Sequence, residues 1–179
     1  MPGAGKSTIA DGLQARGYEV ANMGNAVRAE ARRRNLEPTG ENLGSLMLEL
    51  RERNGPGAVA MLIAPQIRKA GTDTVIVDGI RSNAEIEVLR RLGNVRILSV
   101  HASTDTRFGF LTRRRRADDP KTRAGFQNRD DRELGVGIST SIALADETVS
   151  NNNMSVDGLV EMVHGIILRW VRRDEDARV

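Results

Sequence analysis

Met1-Pro2-Gly3-Ala4-Gly5-Lys6-Ser7-Thr8 opens the chain. Set against G-x-x-x-x-G-K-[ST], it is a phosphate-binding loop whose first glycine would fall one place before Met1. Gly3 and Gly5 let the backbone curl so that successive N–H groups turn inward onto phosphate oxygens. The helix predicted from about Lys6 to Arg16 adds its positive end at the same point. On this reading Gly3, Ala4, Gly5, Lys6, Ser7 and Thr8 bind the phosphates of a nucleoside triphosphate. Lys6 carries its charge to the β- and γ-phosphates, and the Ser7 hydroxyl ligates Mg²⁺. The alternative is a glycine-rich turn before an ordinary helix, and the run straight from Gly-Lys-Ser-Thr into Ile9–Arg16 argues against it.

The strand that feeds such a loop is normally central in a parallel sheet and buried on both faces. Because Met1 already sits in the loop, the expectation is a P-loop fold without its first strand. Either the native protein begins upstream, or the short chain is real and its site weakened. The first is favoured, because several buried apolar side chains at ~1.5–3 kcal/mol each rival a whole domain's stability of about 5–15 kcal/mol.

A length of 179 residues predicts a single domain over 1–179. There is no 18-residue apolar run and no visible signal peptide, so a cytoplasmic protein with no membrane partner is expected. The absence of cysteine excludes disulfides, thiol nucleophiles and thiolate-bound zinc. With two histidines, His101 and His164, the metal left to consider is Mg²⁺ on oxygen ligands. Of the 27 basic residues, only Lys6, Lys69 and Lys121 are lysines. Arginine grips polyphosphate through a planar fork of donors, although a genome-wide bias gives the same excess. Aromatic residues make up 3% of the chain, so nucleic acid is a weakly supported partner. Nothing in the sequence sets an oligomeric state.

Helical and strand patterns alternate, which predicts an α/β fold of three layers, a parallel sheet with helices on both faces. Strands are expected at Tyr18–Asn22, Thr74–Val77, Val95–Val100 and Thr148–Val149, with Thr74–Val77 the clearest buried one. An acceptor-side helical segment spans about 24–70, where Pro65 is a candidate kink and Met47, Met61 and Leu62 have core spacing. A polar stretch follows the helix at 106–114. The helix after it reaches Leu134 and is broken by Gly135-Val136-Gly137.

Asp78 stands directly after an apolar strand, where a carboxylate can hold Mg²⁺ together with Ser7. The other reading is a strand-ending Asp in an Asp-Gly turn. Arg81 and Arg28 follow strand ends on the edge where such sheets bind ligands, and both are candidates to hold the phosphate of an acceptor. Arg113-Arg114-Arg115-Arg116 with Asp118-Asp119-Pro120 suggests either an electrostatic patch or a lid, about 113–132, that closes over ATP. Arg129-Asp130-Asp131-Arg132-Glu133 reads mostly as a surface ion-pair ladder, with Arg116 and Arg129 the candidates to act on the transferring phosphoryl. His101 is expected to make a structural hydrogen bond.

The order of the P-loop, Met23-Gly24…Arg28, Val77-Asp78-Gly79-Ile80-Arg81, the Arg/Asp lid and Ala145-Asp146…Asn151-Asn152 resembles an archaeal P-loop nucleotide-binding family. That family is similar to dephospho-CoA kinases and, more distantly, to adenylate kinases. The resemblance covers nearly the whole chain. It implies that Gly3–Thr8 bind ATP, that Arg28 and Arg81 hold the acceptor's phosphate, and that Arg129-Asp130-Asp131 lies at a lid hinge, one residue shorter than the adenylate kinase pattern. The expected function is transfer of the γ-phosphoryl of Mg·ATP to a small nucleotide-like acceptor, a nucleoside monophosphate or a dephospho-CoA-type hydroxyl. For a hydroxyl acceptor, Asp78 is the candidate base, so the catalytic set is Lys6, Asp78, Arg116 and Arg129. The alternative is an ATPase or nucleotide-controlled switch working with RNA or a protein.

Overall fold

Four short strands form two parallel ladders in the computed structural model, which describes residues 1–114, 116 and 118–177. β1 (Glu19–Asn22) pairs with β2 (Val75–Asp78), and β3 (Leu98–His101) pairs with β4 (Glu147–Ser150). The registers set Asn22 opposite Asp78 and His101 opposite Ser150, so the C-terminal strand ends line up in pairs. Nine helices are described: α1 (Lys6–Gln14), α2 (Met23–Arg33), α3 (Gly40–Asn54), α4 (Ala58–Arg68), α5 (Asn83–Arg90), α6 (Thr104–Arg114), α7 (Arg123–Val136), α8 (Ile138–Ala143) and α9 (Val156–Asp176).

Two cores hold these elements. Met23, Val27, Leu46 and Ile63 join α2, α3 and α4 beneath β1. Ile9, Leu13, Val100, Val149, Leu159 and Val163 join α1 and α9 to β3 and β4. Side chains alternate along a strand, and β2 uses that alternation to serve both cores. Val75 and Val77 pack against the first, and Ile76 against the second. α1 lies so close on α9 that a Cβ on Gly12 would come within 2.5 Å of Val160 Cγ2.

The structure corrects several expectations. The single sheet is two ladders among the described residues, because β2 and β3 are each hydrogen-bonded on one side only. For the same reason Val75–Val77 are half-buried, not fully buried as the apolar run suggested. α2 starts at Met23, with no connection after β1, because the Asn22 side chain accepts the Asn25 N–H and caps the helix directly at the strand end. α4 runs through Pro65. α7 continues through Gly135 and stops at Gly137, whose φ of 104° ends that helix and starts α8, an element the sequence did not suggest. Met61 is exposed, whereas Met47 faces a cavity. Of the arginine-rich run, Arg115 and Ala117 lie outside the described residues.

One buried ion pair ties the helices of the second half to the start of the chain. Arg107 of α6 donates to both carboxylate oxygens of Asp130 of α7, at 2.9 and 2.5 Å, and to the Pro2 carbonyl at 3.1 Å. Asp130 therefore leaves the surface ladder predicted for it: it is buried, while its neighbour Asp131 is exposed. Asp130→Ala strands the Arg107 charge in the interior and should cost about 3–5 kcal/mol, read as a lowered midpoint in urea unfolding. Asp131→Ala should stay within about 0.5 kcal/mol of the parent.

Candidate active site

Gly5, at φ 103°, caps α1 in a conformation that favours glycine, and Gly3 precedes it at φ 78°. There is no room at either position for a side chain. A Cβ on Gly5 would sit 2.4 Å from Asn151 Nδ2, and one on Gly3 would sit 2.7 Å from the Arg107 carbonyl oxygen. Asn151, buried just beyond β4, donates from Nδ2 to the Ala4 carbonyl at 3.1 Å, and its own N–H donates to the His101 carbonyl. The loop is thus pinned from behind while its front faces a cavity. Ala4 belongs to the pinned side: it is fully buried in the core and does not line the cavity.

The open side is a cavity of about 550 Å³. Gly3, Gly5, Lys6, Ser7 and Thr8 line it together with Asp78, and so do Arg28, Arg81, Arg116 and Arg129. Every sequence-predicted site residue except Ala4 therefore converges here. The Ser7 hydroxyl donates to Asp78 Oδ2 at 3.3 Å, and Asn22 Nδ2 donates to the same oxygen at 2.6 Å. Two oxygen ligands of the kind Mg²⁺ takes thus stand side by side, set there by the Asn22–Asp78 register. Lys6 Nζ donates to the Met1 carbonyl at 2.8 Å. Burial lowers its pKa from the ordinary lysine value; Asp78 and Glu133 counter that, and Arg81 adds to it.

The arginines are held by carboxylates. Arg129 Nη1 donates to the Asp118 carbonyl at 3.1 Å and to Asp119 Oδ1 at 3.4 Å. Arg28 Nη2 donates to Asn25 Oδ1 at 2.5 Å, and its Nη1 lies 3.7 Å from Asp118 Oδ2. Burial pushes Arg28 and Arg129 below the ordinary arginine value, and Asp118 draws both back. Their positive charges are costly where they stand, and a phosphate would relieve that cost. Arg81 Nε lies 2.7 Å from Glu133 Oε2, its Nη1 donates to Met47 Sδ, and its N–H donates to Glu85. Arg116 is exposed, with its N–H on Asp119 Oδ2 at 2.9 Å, and Arg114 clasps Asp119 through both carboxylate oxygens.

A second cavity, of about 290 Å³, adjoins the first between α2, α3 and α7. Val27, Leu43, Met47 and Leu48 give it an apolar wall. Arg28, Arg81, Asp118, Arg129 and Glu133 line both cavities. Sequence reasoning missed three residues here. Asn22 gave no signal beyond its position at a strand end, and Asn151 entered only as part of the family pattern, with no role assigned. Glu133 was hidden in a mixed-charge run, where only its i+4 spacing from Arg129 put the two on one helical face.

The chain is 43% identical over 178 residues to the UPF0200 protein of Pyrococcus horikoshii, covering 95% of this chain and 96% of that one. This chain belongs to the UPF0200 family. A further UPF0200 relative, from Hyperthermus butylicus, is 46% identical over 151 residues, 84% of this chain and 81% of that one. Residues 1–127 match the family model described as an AAA domain, which spans the P-loop, Asp78 and Arg81 of this UPF0200 chain. Among solved structures, the shikimate kinase from Acinetobacter baumannii in complex with shikimate superposes with a TM-score of 0.57. It covers 94% of this chain and 89% of that chain at 15% identity. The UPF0200 fold is accordingly a P-loop, kinase-like α/β fold, and no described helix is long and apolar enough to cross a membrane.

Gly5→Ala forces a side chain into Asn151 at a positive φ. A fluorescent ATP analogue titrated in Mg²⁺ should bind at least tenfold more weakly, and unchanged binding would place the nucleotide elsewhere. Acid should loosen the hold of Arg114 and the Arg116 N–H on Asp119. Burial alone would raise the Asp119 pKa, yet the Arg114 bonds and the Arg116 N–H hold it below the ordinary 3.8. Because the folded value is the lower one, this tie is complete above pH 3.8 and is lost as the pH falls through the folded value. Proteolytic nicking beside Asp119, followed against pH with an acid-active protease, should rise in that window and not above it.

Proposed function

We propose that this UPF0200 chain transfers the γ-phosphoryl of Mg·ATP to a small nucleotide-like acceptor of the nucleoside monophosphate or dephospho-CoA kind. The observation that carries this reading is the second cavity. It opens beside the P-loop cavity and shares Arg28, Arg81 and Arg129 with it. A hydrolase or switch needs the first cavity and has no use for the second. The kinase-like fold supports the same reading.

The residues present fit the ligands this requires. The positive-φ glycines and the first N–H groups of α1, which have no carbonyl a turn earlier, form an anion cradle. Ser7 and Asp78 are the side chains that would hold Mg²⁺, which neutralises charge on the β- and γ-phosphate oxygens. Lys6 carries a buried positive charge to the same oxygens. Arg129, with the exposed Arg116, supplies charge at the transferring group, and the 113–132 segment is the lid in this reading. Arg28 and Arg81 turn toward the acceptor, whose body rests on Val27, Leu43 and Met47.

The test is ADP release from Mg·ATP, first alone and then with a panel of nucleoside monophosphates and dephospho-CoA. One compound should stimulate release strongly and appear as a phosphorylated product. With that compound, Arg28→Ala should raise the acceptor KM by about tenfold or more, the effect of losing a charge-assisted bond of about 1.5–3 kcal/mol, and leave the ATP KM within about twofold. A slow rate indifferent to every acceptor would favour the ATPase or switch.

A further inference from the structure

Most of the acids named around the two cavities are already committed. Asp78 Oδ2 accepts from Ser7 and Asn22. Glu85 accepts from Arg51 Nη2 at 2.6 Å and from the Arg81 N–H at 2.7 Å. Asp130 is held by both arms of Arg107, and Asp119 by Arg114 and the Arg116 N–H. Asp118 lies between Arg28 and Arg129.

Glu133 is different. It is buried at 5% exposure, and it lines the P-loop cavity and the apolar cavity alike. Its one partner among the described residues is Arg81, whose Nε forms an ion pair with Oε2 at 2.7 Å in a geometry that makes no hydrogen bond. Enclosed carboxylate oxygens in folded proteins normally accept at least one hydrogen bond, and those that do not call for a functional account. Arg81 supplies opposite charge at Oε2, and the Glu133 side chain lines both cavities where they adjoin. Its helix is fixed from behind by the Arg107–Asp130 pair one turn earlier. Glu133 is also close enough to Lys6 to act on that ammonium electrostatically.

We infer that Glu133 is the general base of this site and that the acceptor reacts through a hydroxyl, not through a phosphate oxygen. The inference rests on the phosphotransferase reading above and selects between its two acceptor kinds. The Glu133 carboxylate takes the proton of the acceptor O–H as that oxygen forms its bond to the γ-phosphorus. The bond from the γ-phosphorus to the β–γ bridging oxygen breaks, and its electron pair leaves with ADP. The proton on Glu133 then passes to water. Arg81 pairs with the carboxylate at the junction and faces the phosphoryl as it passes. A phosphate acceptor carries its nucleophilic oxygen already ionised and needs no such base. Asp78 is displaced from the role the sequence suggested for it, because its Oδ2 is taken up by Ser7 and Asn22.

Glu133→Gln keeps the shape and removes the base, and Glu133→Asp keeps the base and draws it back by one methylene. Both are compared with the parent below the melting temperature of each. The probes are dephospho-CoA, a hydroxyl acceptor, and AMP, a phosphate acceptor, each with Mg·ATP. The expected result is transfer to dephospho-CoA and not to AMP. In Glu133→Gln, kcat should fall by about 10²–10⁴ with the ATP KM unchanged. The acid limb of the pH–rate profile, where the parent loses activity as the base is protonated, should be absent in Glu133→Gln and retained in Glu133→Asp. Transfer to dephospho-CoA within about threefold of the parent in Glu133→Gln, or an acid limb that survives in it, overturns the general-base role. Transfer to AMP overturns the hydroxyl assignment. Both results leave the phosphotransferase standing. Absence of transfer to either probe and to every other acceptor in the panel overturns the phosphotransferase reading, and the role of Glu133 with it.

Discussion

The buried pair between Arg107 and Asp130 is the constraint on which the site depends. Two helices from the second half of the chain, α6 and α7, meet through it, and its third bond reaches the Pro2 carbonyl at the start of the phosphate loop. Arg129 and Glu133 lie on the same α7, so their approach to Lys6 is set by where this pair clamps the helix. A guanidinium offers several donors in one plane, and here two go to a carboxylate and one is shared with a backbone oxygen. Replacing the pair by apolar residues of equal volume could fold as well. It would not fix the loop, α6 and α7 in one relation.

The second half of the design is electrostatic. Lys6, Arg28, Arg81 and Arg129 come together in a partly enclosed space, and self-repulsion there would open the structure if nothing answered it. Asp78, Asp118, Asp119 and Glu133 answer it at short range. None of these acids sits deep in the phosphate loop itself, so the loop's curl stays available to an anion while its surroundings remain balanced. The lowered pKa values of Lys6, Arg28 and Arg129 express the same situation. The positive charges are desolvated more than they are paired, which is the condition that favours an incoming phosphate over water.

Much of this was legible in the sequence, because the phosphate loop is a local device. Glycines at fixed offsets, a lysine and a hydroxyl specify backbone curvature and charge without reference to the rest of the fold. Asp78, Arg81 and Arg28 were legible for a related reason: each follows a strand, and strand ends in a parallel sheet share an edge. Long-range pairing was not legible. Arg129-Asp130-Asp131-Arg132-Glu133 looks like one surface ladder, yet α7 turns Asp130 and Glu133 inward and leaves Asp131 and Arg132 outside. A run of alternating charges has no apolar stripe to say which face is buried, and here the partners Arg107 and Arg81 decide it from 23 and 52 positions away. The division of the sheet into two ladders escaped for a similar reason. A strand's own composition reports its burial poorly when only one of its edges is bonded.

The two cavities draw on the same arginines and the same glutamate. An anion settling in one of them spends charge that the other would have used, and any shift of Arg81 off Glu133 is felt on both sides. Two ligands that compete for, or jointly satisfy, one set of charges cannot bind independently. Their affinities are coupled, and the coupling is equal in both directions. Occupancy of either cavity would therefore be felt in the other through a handful of shared side chains, whichever ligand arrives first.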